Sequence, residues 1–447
     1  MTADTALSTR LHAWLDRVHP GTGPIALAYS GGGDSHALLC IAASWARARG
    51  IALYALTVDH ALRPQSGAEA VHAREAARRL GAKPVLLRWD GDKPSTGLQA
   101  AARQARHVLL AEACRARKIE QLLLAHTLDD QAETVWMRLQ AGGGWRGCAA
   151  MAERGASPVW PQGRGLELLR PLLGVRREEL RAYLAGVNES WIEDASNTDP
   201  RFTRVRVRQS LARLEPAGLS LGQLTGWSRE IGTIERCERT AAAALAQDAV
   251  RLHPWGGAEL DVERITAAAP VIRRRLVEAV TLALSGRADT PRRAALDSLV
   301  DHLLRRRAGS AAGVQTLLWR GASWIIRDPG AVLGRVDRPG RKSFPLLQNS
   351  SLVWDGRYEI ETSGVNIIAE PLGKRYKGIG DRAGLEVIPG LARSGLLALR
   401  SRGEVLAIAG VRHHPQLRIV PLMAQRFHSR LRYDAPPKEG VDQLVPA

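Results

Sequence analysis

Between residues 24 and about 173, short apolar runs alternate with longer stretches of helical periodicity. The runs 25–29 (IALAY), 51–58, 85–89 and 121–125 have the length of strands, and 166–169 is a shorter fifth candidate. They are apolar without a polar alternate face, as expected of strands covered on both sides. The segments 35–49, 66–80, 96–118 and 129–140 carry the helical pattern between them. Strand–helix alternation of this kind predicts an α/β fold with a parallel, Rossmann-like sheet, and in such sheets ligands bind beyond the carboxyl ends of the strands. A helix over 176–187 follows. After a softer stretch, LEPAGLSLGQ, helical patterns dominate 225–307, including PRRAALDSLVDHLLRRRAG with Pro291 at a helix start and Gly309 past its end. The runs VQTLLWR and SWIIRD predict a strand pair, and RVDRPGRKSFP reads as a linker. Beyond it, SLVWDGRYEIET, VNIIAEP, LLALRS and EVLAIAGV alternate in the manner of strands and turns. The expected organisation is an α/β domain over 1–213, a mainly helical domain over 214–335, a small β-rich domain over 340–434 and a disordered tail over 435–447.

The chemistry gathers at the strand ends. The first strand runs into Ser30, Gly31, Gly32, Gly33, Asp34 and Ser35, directly before a helix. Three glycines allow a tight turn with bare N–H groups, and a helix N-terminus adds unpaired donors, so the natural ligand is a phosphate. The loop has neither the Lys-Ser/Thr ending of a Walker A motif nor G-x-G-x-x-G spacing. The second strand ends in Asp59 and His60, and the fourth in His126 and Thr127, which lead into LDDQAETVWMRL. On that helix Asp130, Glu133 and Met137 share a face, with Asp129 beside it. Carboxylates next to a phosphate loop call for a cation, and Mg2+, which binds few carboxylates and several phosphate oxygens, is the expected one. Plainer readings stand alongside: Asp34 as a helix cap, Asp130 with Glu133 as a capping box, His126 as a core histidine. Arg103 and Arg106 lie on one helical face, either solvated or clamping a carboxylate or phosphate. QAGGGWRGCAAM reads as a mobile loop. Arg201, Arg204, Arg206 and Arg208 cluster around Phe202, a pattern suited to an RNA backbone and an unstacked base, or to one basic helix face.

Composition then narrows the partners. The chain is 45% hydrophobic and 24% charged, ordinary for a soluble protein, but its net charge is +18. That excess favours a polyanion, nucleic acid first, although the preponderance of arginine can also reflect base composition of the genome. Cys40, Cys114, Cys148 and Cys237 form no C-x-x-C pair, which argues against a disulfide framework, a zinc site or a cluster. MTADTALSTRLHAWL lacks the form of an export signal, and no apolar run is long enough to span a membrane, so a cytoplasmic location is expected.

SGGGDS, VDHALRP and HTLDDQAETVWMRL together resemble the PP-loop ATP pyrophosphatase superfamily and, within it, the tRNA(Ile)-lysidine synthetase family. AARQARH, RPLLGVRREEL and WIEDASNTDPRFTR match in the same order, so the resemblance is specific over 24–208 and weaker beyond. It departs at Ala61, where the family usually has Gly, at Ala195 in place of a proline, at Val205 in place of an Asn, and in the GGGWRGCAAM loop. The resemblance implies ATP, Mg2+, L-lysine and an isoleucine tRNA with a CAU anticodon as cofactors and partners, and allows a homodimer. It implies adenylation of the wobble cytidine followed by attack of lysine. Asp34, Asp130, Glu133, His126 and Arg103 would be catalytic. Ser30 through Ser35, with Asp59 and His60, would hold the nucleotide, Asp34 and Asp129 the metal, and Arg201, Arg204, Arg206 and Arg208 the tRNA. Thiolation enzymes of the same superfamily need reactive or cluster-binding cysteines, amide-forming relatives need a glutaminase, and a non-catalytic RNA-binding protein would not need the intact SGGGDS and DDQAET.

Overall fold

The computed structural model describes residues 3–62, 66–142, 144–149, 151–192, 203–214, 216, 218–335, 338–341, 343–373 and 384–431. The expected tail over 435–447, Ala195, Arg201 and Phe202 lie outside them. The chain divides into two compact units, Met1–Arg236 and Cys237–Ala447.

The first unit runs α1 (Ala3–Val18), β1 (Ile25–Ala28), α2 (Gly33–Arg49), β2 (Leu53–Asp59), α3 (Ser66–Arg79), β3 (Lys83–Arg88), α4 (Leu98–Arg115), β4 (Gln121–Leu123), α5 (Leu128–Gln140), α6 (Gly144–Gly147), β5 (Arg154–Ala156), β6 (Glu167–Leu169), α7 (Arg177–Gly186) and α8 (Thr203–Leu214). A long helix, α9 (Leu221–Ala249), carries the chain across the boundary at residue 236. The sheet order is β3-β2-β1-β4-β6-β5, parallel except for the edge strand β5. The order reverses between β1 and β4, which makes the gap above those two strands the switch point where a ligand belongs. β1 shows why its sequence is apolar throughout. Ile25 and Leu27 enter the core with α1, α2 and α7, whereas Ala26 and Ala28 enter the core under α4. Successive side chains of a strand point to opposite faces, so a strand buried on both sides needs both sets apolar.

Two elements extend the sequence reading. α1 buries Leu7, Leu11, Leu15 and Val18, a stripe at helical spacing, against the same core as α2. β5 adds an antiparallel edge to the expected parallel strands, pairing Arg154–Ala156 with β6.

The second unit opens with an antiparallel sheet, β7 (Val250–His253), β8 (Gly257–Leu260), β9 (Gly309–Ala311), β10 (Val314–Trp319) and β11 (Ala322–Arg327), in the order β7-β8-β11-β10-β9. The β10–β11 hairpin is the expected VQTLLWR/SWIIRD pair. The β7–β8 hairpin interrupts a stretch with a helical pattern. Helices α10 (Val262–Ala267), α11 (Pro270–Ser285) and α12 (Arg293–Leu304) follow it. Farther on, a four-stranded sheet (Phe344–Leu346, Ile367–Pro371, Leu397–Ser401, Glu404–Ile408) and a three-stranded sheet (Ser351–Trp354, Tyr358–Thr362, Leu417–Pro421) precede a last helix, Met423–Leu431. One cluster of buried side chains runs from Leu276 and Val280 of α11 to Trp354, Ile360, Leu399 and Phe427. No described helix is long and apolar enough to cross a membrane.

Candidate active site

In a parallel β-α arrangement each helix begins at the carboxyl edge of the sheet. The N-termini of α2, α4, α5 and α7, each following a parallel strand, therefore lie at that edge. The phosphate loop lies between β1 and α2. Gly31 adopts φ +81, a left-handed conformation that glycine reaches without steric cost, and a Cβ there would come within 2.9 Å of Ile192. Ser30 Oγ and Ser35 Oγ are 3.0 Å apart, and Ser35 Oγ donates to the carbonyl of Gly32 at 2.9 Å, so both hydroxyls brace the loop. Gly32, not Asp34, is the N-cap of α2. Asp34 sits in the first turn, where its carboxylate caps nothing and pairs with arginines of α7.

One guanidinium joins the predicted acids. Arg177, at the start of α7, donates from Nε to Asp34 Oδ2 at 3.2 Å, from Nη2 to Asp130 Oδ1 at 2.5 Å and from Nη1 to Glu133 Oε1 at 2.8 Å. Its backbone N–H donates to Asp129 Oδ2 at 2.9 Å. Arg181, one turn on, donates to Asp34 Oδ1 at 3.0 Å, and Arg208 of α8 to Glu133 Oε1 at 2.6 Å. Neither Arg177 nor Arg181 was a candidate by sequence. The signal was present in RPLLGVRREEL, where arginines open a helix just after a strand of the sheet.

The two inner carboxylates differ. The capping box of α5 is formed by Thr127 and Asp130, where the sequence reading placed it at Asp130 and Glu133: the cap is the residue before the helix, and N3 falls on Asp130. Asp130 Oδ2 accepts from the Thr127 amide at 2.9 Å and hydroxyl at 3.0 Å, and Oδ1 from Arg177, so both oxygens are engaged. Burial alone would raise its pKa, but the Arg177 charge and the Thr127 amide outweigh burial and hold it below the usual carboxylate range. Glu133 is 1% exposed, and its Oε2 is buried without a hydrogen-bond partner.

Around these acids lies a basic rim. His126 has an unpartnered, buried Nδ1, and burial, with Arg170, Arg106 and Arg103 nearby, pushes its pKa down to about 3 against the pull of Asp130. It is a neutral imidazole at physiological pH. His60 likewise has an unpartnered buried Nδ1 and a pKa lowered by burial and then by Arg106. Burial first, and then the charges of Arg103, Arg106 and Arg170, together push His107 down to about 4. Arg106 is lowered by burial and by the charges of Arg103 and Arg204, while Arg138 lies within electrostatic reach of Arg103. Like charges assembled at one place are unfavourable unless an anion is to be received there. Asp59 closes its strand by accepting the Ala61 amide at 2.7 Å, and Ala61 itself adopts φ +49. A left-handed residue there accounts for the family's glycine.

The arginine group on α8 divides. Val205, Val207 and Leu211 are buried, Arg208 turns in to Glu133, and Arg204 and Arg206 are exposed. Among the described residues, His36, Cys40 and Glu189 are the grouping closest to a metal site. Protein partners already occupy it: His36 Nε2 lies 3.0 Å from Glu189, and Arg79 donates to both oxygens of Glu189 at 2.6 Å.

A family model described as the PP-loop domain matches residues 4–215. A protein of Rhizobium meliloti named tRNA(Ile)-lysidine synthase is 35% identical over 363 residues, covering 79% of this chain and 76% of that one. One of the same name from Caulobacter vibrioides is 37% identical over 355 residues, 78% of each. Another, from Hyphomonas neptunium, is 47% identical over 188 residues, and that match spans 42% of this chain and 50% of the relative. With a phosphate loop, a carboxylate set and a basic rim assembled at the switch point of a PP-loop sheet, and relatives of one name along most of its length, the chain belongs to the tRNA(Ile)-lysidine synthase family.

Proposed function

We propose that this chain is an ATP-dependent ligase that converts the wobble cytidine of a CAU-anticodon tRNA(Ile) to lysidine. In the first step O2 of the cytidine attacks the α-phosphate of ATP and diphosphate leaves. In the second, the ε-amine of lysine attacks C2, its proton passes to a carboxylate, and AMP departs with the former O2. The observation that carries this reading is the bare Oε2 of Glu133, a buried acceptor beside Asp34 and Asp130, whose oxygens are all engaged. An unsatisfied buried carboxylate oxygen is costly, and a substrate ammonium is the donor that satisfies it.

The other residues divide the work. The loop from Ser30 to Ser35 and the start of α2 receive the diphosphate, with developing charge met by backbone N–H groups. Asp34 and Asp129 carry hard carboxylate oxygens of the kind magnesium takes beside phosphates, and these two would hold that ion once Asp34 exchanges Arg177 and Arg181 for it. Bound there, the ion would neutralise phosphate charge. Arg103 and Arg106 pair with the adenylate phosphate or the lysine carboxylate. Neutral His126 offers a ring nitrogen to the base without adding charge to the rim. Asp59 and His60 border the nucleotide. Arg201, Arg204 and Arg206 bind the tRNA backbone, and Arg208 braces Glu133. Thiolation is disfavoured because Cys40, Cys114 and Cys148 are buried, with burial pushing Cys40 and Cys114 up to about 12, and the exposed Cys237 has no C-x-x-C partner.

The test is incubation with ATP, radiolabelled lysine and tRNA(Ile) bearing CAU. Label should enter the tRNA, and Asp34→Ala should abolish incorporation. No incorporation by the unsubstituted protein would overturn the proposal.

A further inference from the structure

Trp145 and Trp227 are the exposed tryptophans of the first unit, at 51% and 61%; the others there are buried or half-buried. A single exposed apolar side chain needs no explanation by itself. The mounting and neighbours of Trp145 are what distinguish it. Gly142 and Gly144, with φ +66 and +63, turn the chain sharply out of α5 into the single-turn α6 that carries Trp145. The chain is then fastened down. Cys148 packs with Ala132 and Val135 of α5, Val207 and Leu211 of α8 and Leu224 of α9. Arg138 of α5 donates to the Ala149 carbonyl at 2.7 Å, and Gln131 bonds both ways with the backbone of Met151, at 2.8 and 2.7 Å. The loop expected to be mobile is thus nailed at its far end to the helix that bears Asp130 and Glu133. The Arg146 guanidinium lies 4.9 Å from the centroid of the Trp145 ring, covering one face. Arg138, which holds the loop, also belongs to the positive rim with Arg103.

We propose that the free face of Trp145, backed by Arg146, is a stacking platform for an unpaired base of the tRNA anticodon loop next to the modified cytidine. The idea rests on the lysidine reading above. Single-stranded RNA is held by aromatic faces and arginine planes beside a positive groove that tracks the phosphates. An exposed indole on a loop held by Arg138 of that rim supplies the first, and Arg103, Arg138 and Arg204 supply the second. Stacking is tolerant of base identity, so Trp145 contributes affinity and orientation, with little discrimination between sequences.

The experiment measures the affinity of the full-length protein for a CAU anticodon stem-loop across a salt series, with ATP affinity measured in parallel. Trp145→Ala should bind the stem-loop roughly tenfold more weakly at every salt concentration. The slope of log K against log salt should stay unchanged, because no phosphate contact is lost. Trp145→Phe should keep most of the affinity, and ATP should bind both variants as it binds the parent. Unchanged RNA affinity in Trp145→Ala would overturn the platform alone, as would a loss accompanied by a shallower salt slope. A parent protein that makes no lysidine would overturn the underlying reading and this inference together.

Discussion

Each unit of the molecule contains a buried charge hub, and the two are inverses. In the first, one guanidinium, Arg177, serves Asp34, Asp130 and Glu133. In the second, one carboxylate, Asp355, serves three guanidiniums. Its Oδ2 accepts from Arg327 Nε at 2.9 Å and Arg357 Nε at 2.8 Å, while Oδ1 accepts from Arg327 Nη2 at 3.1 Å and pairs with Arg341 Nε at 2.6 Å. A carboxylate has about four lone-pair positions, so Asp355 is saturated. The surplus positive charge is met by aromatic faces: the Arg357 guanidinium lies 5.4 Å from the ring centroid of Trp354 and 5.3 Å from that of Tyr358. Asp355, Gly356 and Arg357 form the turn of the hairpin, and Gly286, past the end of α11, approaches so closely that a Cβ would lie 1.8 Å from the Asp355 carbonyl. This hub fastens a helix end, the end of the central strand β11 and a hairpin together. The Arg177 hub leaves an acceptor open. In the Asp355 hub the carboxylate is filled and the unpartnered buried atom is a donor, Arg357 Nη2, lying over the rings of Trp354 and Tyr358, whereas in the Arg177 hub it is an acceptor, Glu133 Oε2, which a cationic ligand would complete.

The largest effect expected is from Arg177→Ala. It strips Asp130 of its guanidinium and leaves Asp34 to Arg181 and Glu133 to Arg208 alone, and removing one partner of a buried ion-pair network costs about 3–5 kcal/mol. Urea denaturation should register that loss, and lysine incorporation should disappear. Arg177→Lys should recover part of the stability but little activity, because a point charge does not span three carboxylates. Asp355→Asn should cost less, about 2–4 kcal/mol, since the amide retains one acceptor oxygen for the guanidiniums. It should leave ATP affinity unchanged; lost ATP binding in a folded Asp355→Asn protein would break the contrast between a structural hub and a functional one. The sign with pH is fixed. Burial would raise Asp355, but Arg357 and Arg327 hold it below its ordinary value of 3.8, so its contribution is full above that pH and fades as pH falls through the depressed folded value. Parent and Asp355→Asn stabilities should therefore converge only in acid.

The two regions were unequally legible in the sequence. β1, its loop and α2 could be read because a strand buried on both faces leaves an unbroken apolar run and three glycines end it. Asp34, Asp130 and Glu133 could be read because charged residues at strand ends have no packing role to explain them. Arg177 could not, since its partners lie on two other helices and an arginine in a first helical turn looks like any solvated cation. The stripe Leu7, Leu11, Leu15 and Val18 has the helical spacing of α1, although the sequence reading places no helix before residue 35. The β7–β8 hairpin was hidden because its strands have four residues each, too few to show a period of two. Trp354-Asp355-Gly356-Arg357 carries the Asp-Gly of a tight hairpin, yet nothing local tells that Asp355 collects arginines from elsewhere.

A smaller effect sharpens the same contrast. Both regions hold a residue other than glycine at positive φ, Ala61 at +49 and Asp355 at +51. Aspartate tolerates that conformation better than alanine, so the strain sits beside the crevice. Ala61→Gly should raise the unfolding free energy by about 0.5–1 kcal/mol, less the extra entropy glycine gives the unfolded chain, with catalysis unchanged. A clear destabilisation in thermal melts would show that Ala61 is unstrained.

Glu133→Gln, with the two half-reactions followed separately, decides whether Oε2 of Glu133 receives the lysine ammonium and its proton. Diphosphate release from ATP on tRNA should continue near the parent rate, while lysine transfer should fall by about 10²–10⁴, the contribution of a positioned acid or base. Lysine transfer at the parent rate in that variant would rule this role out.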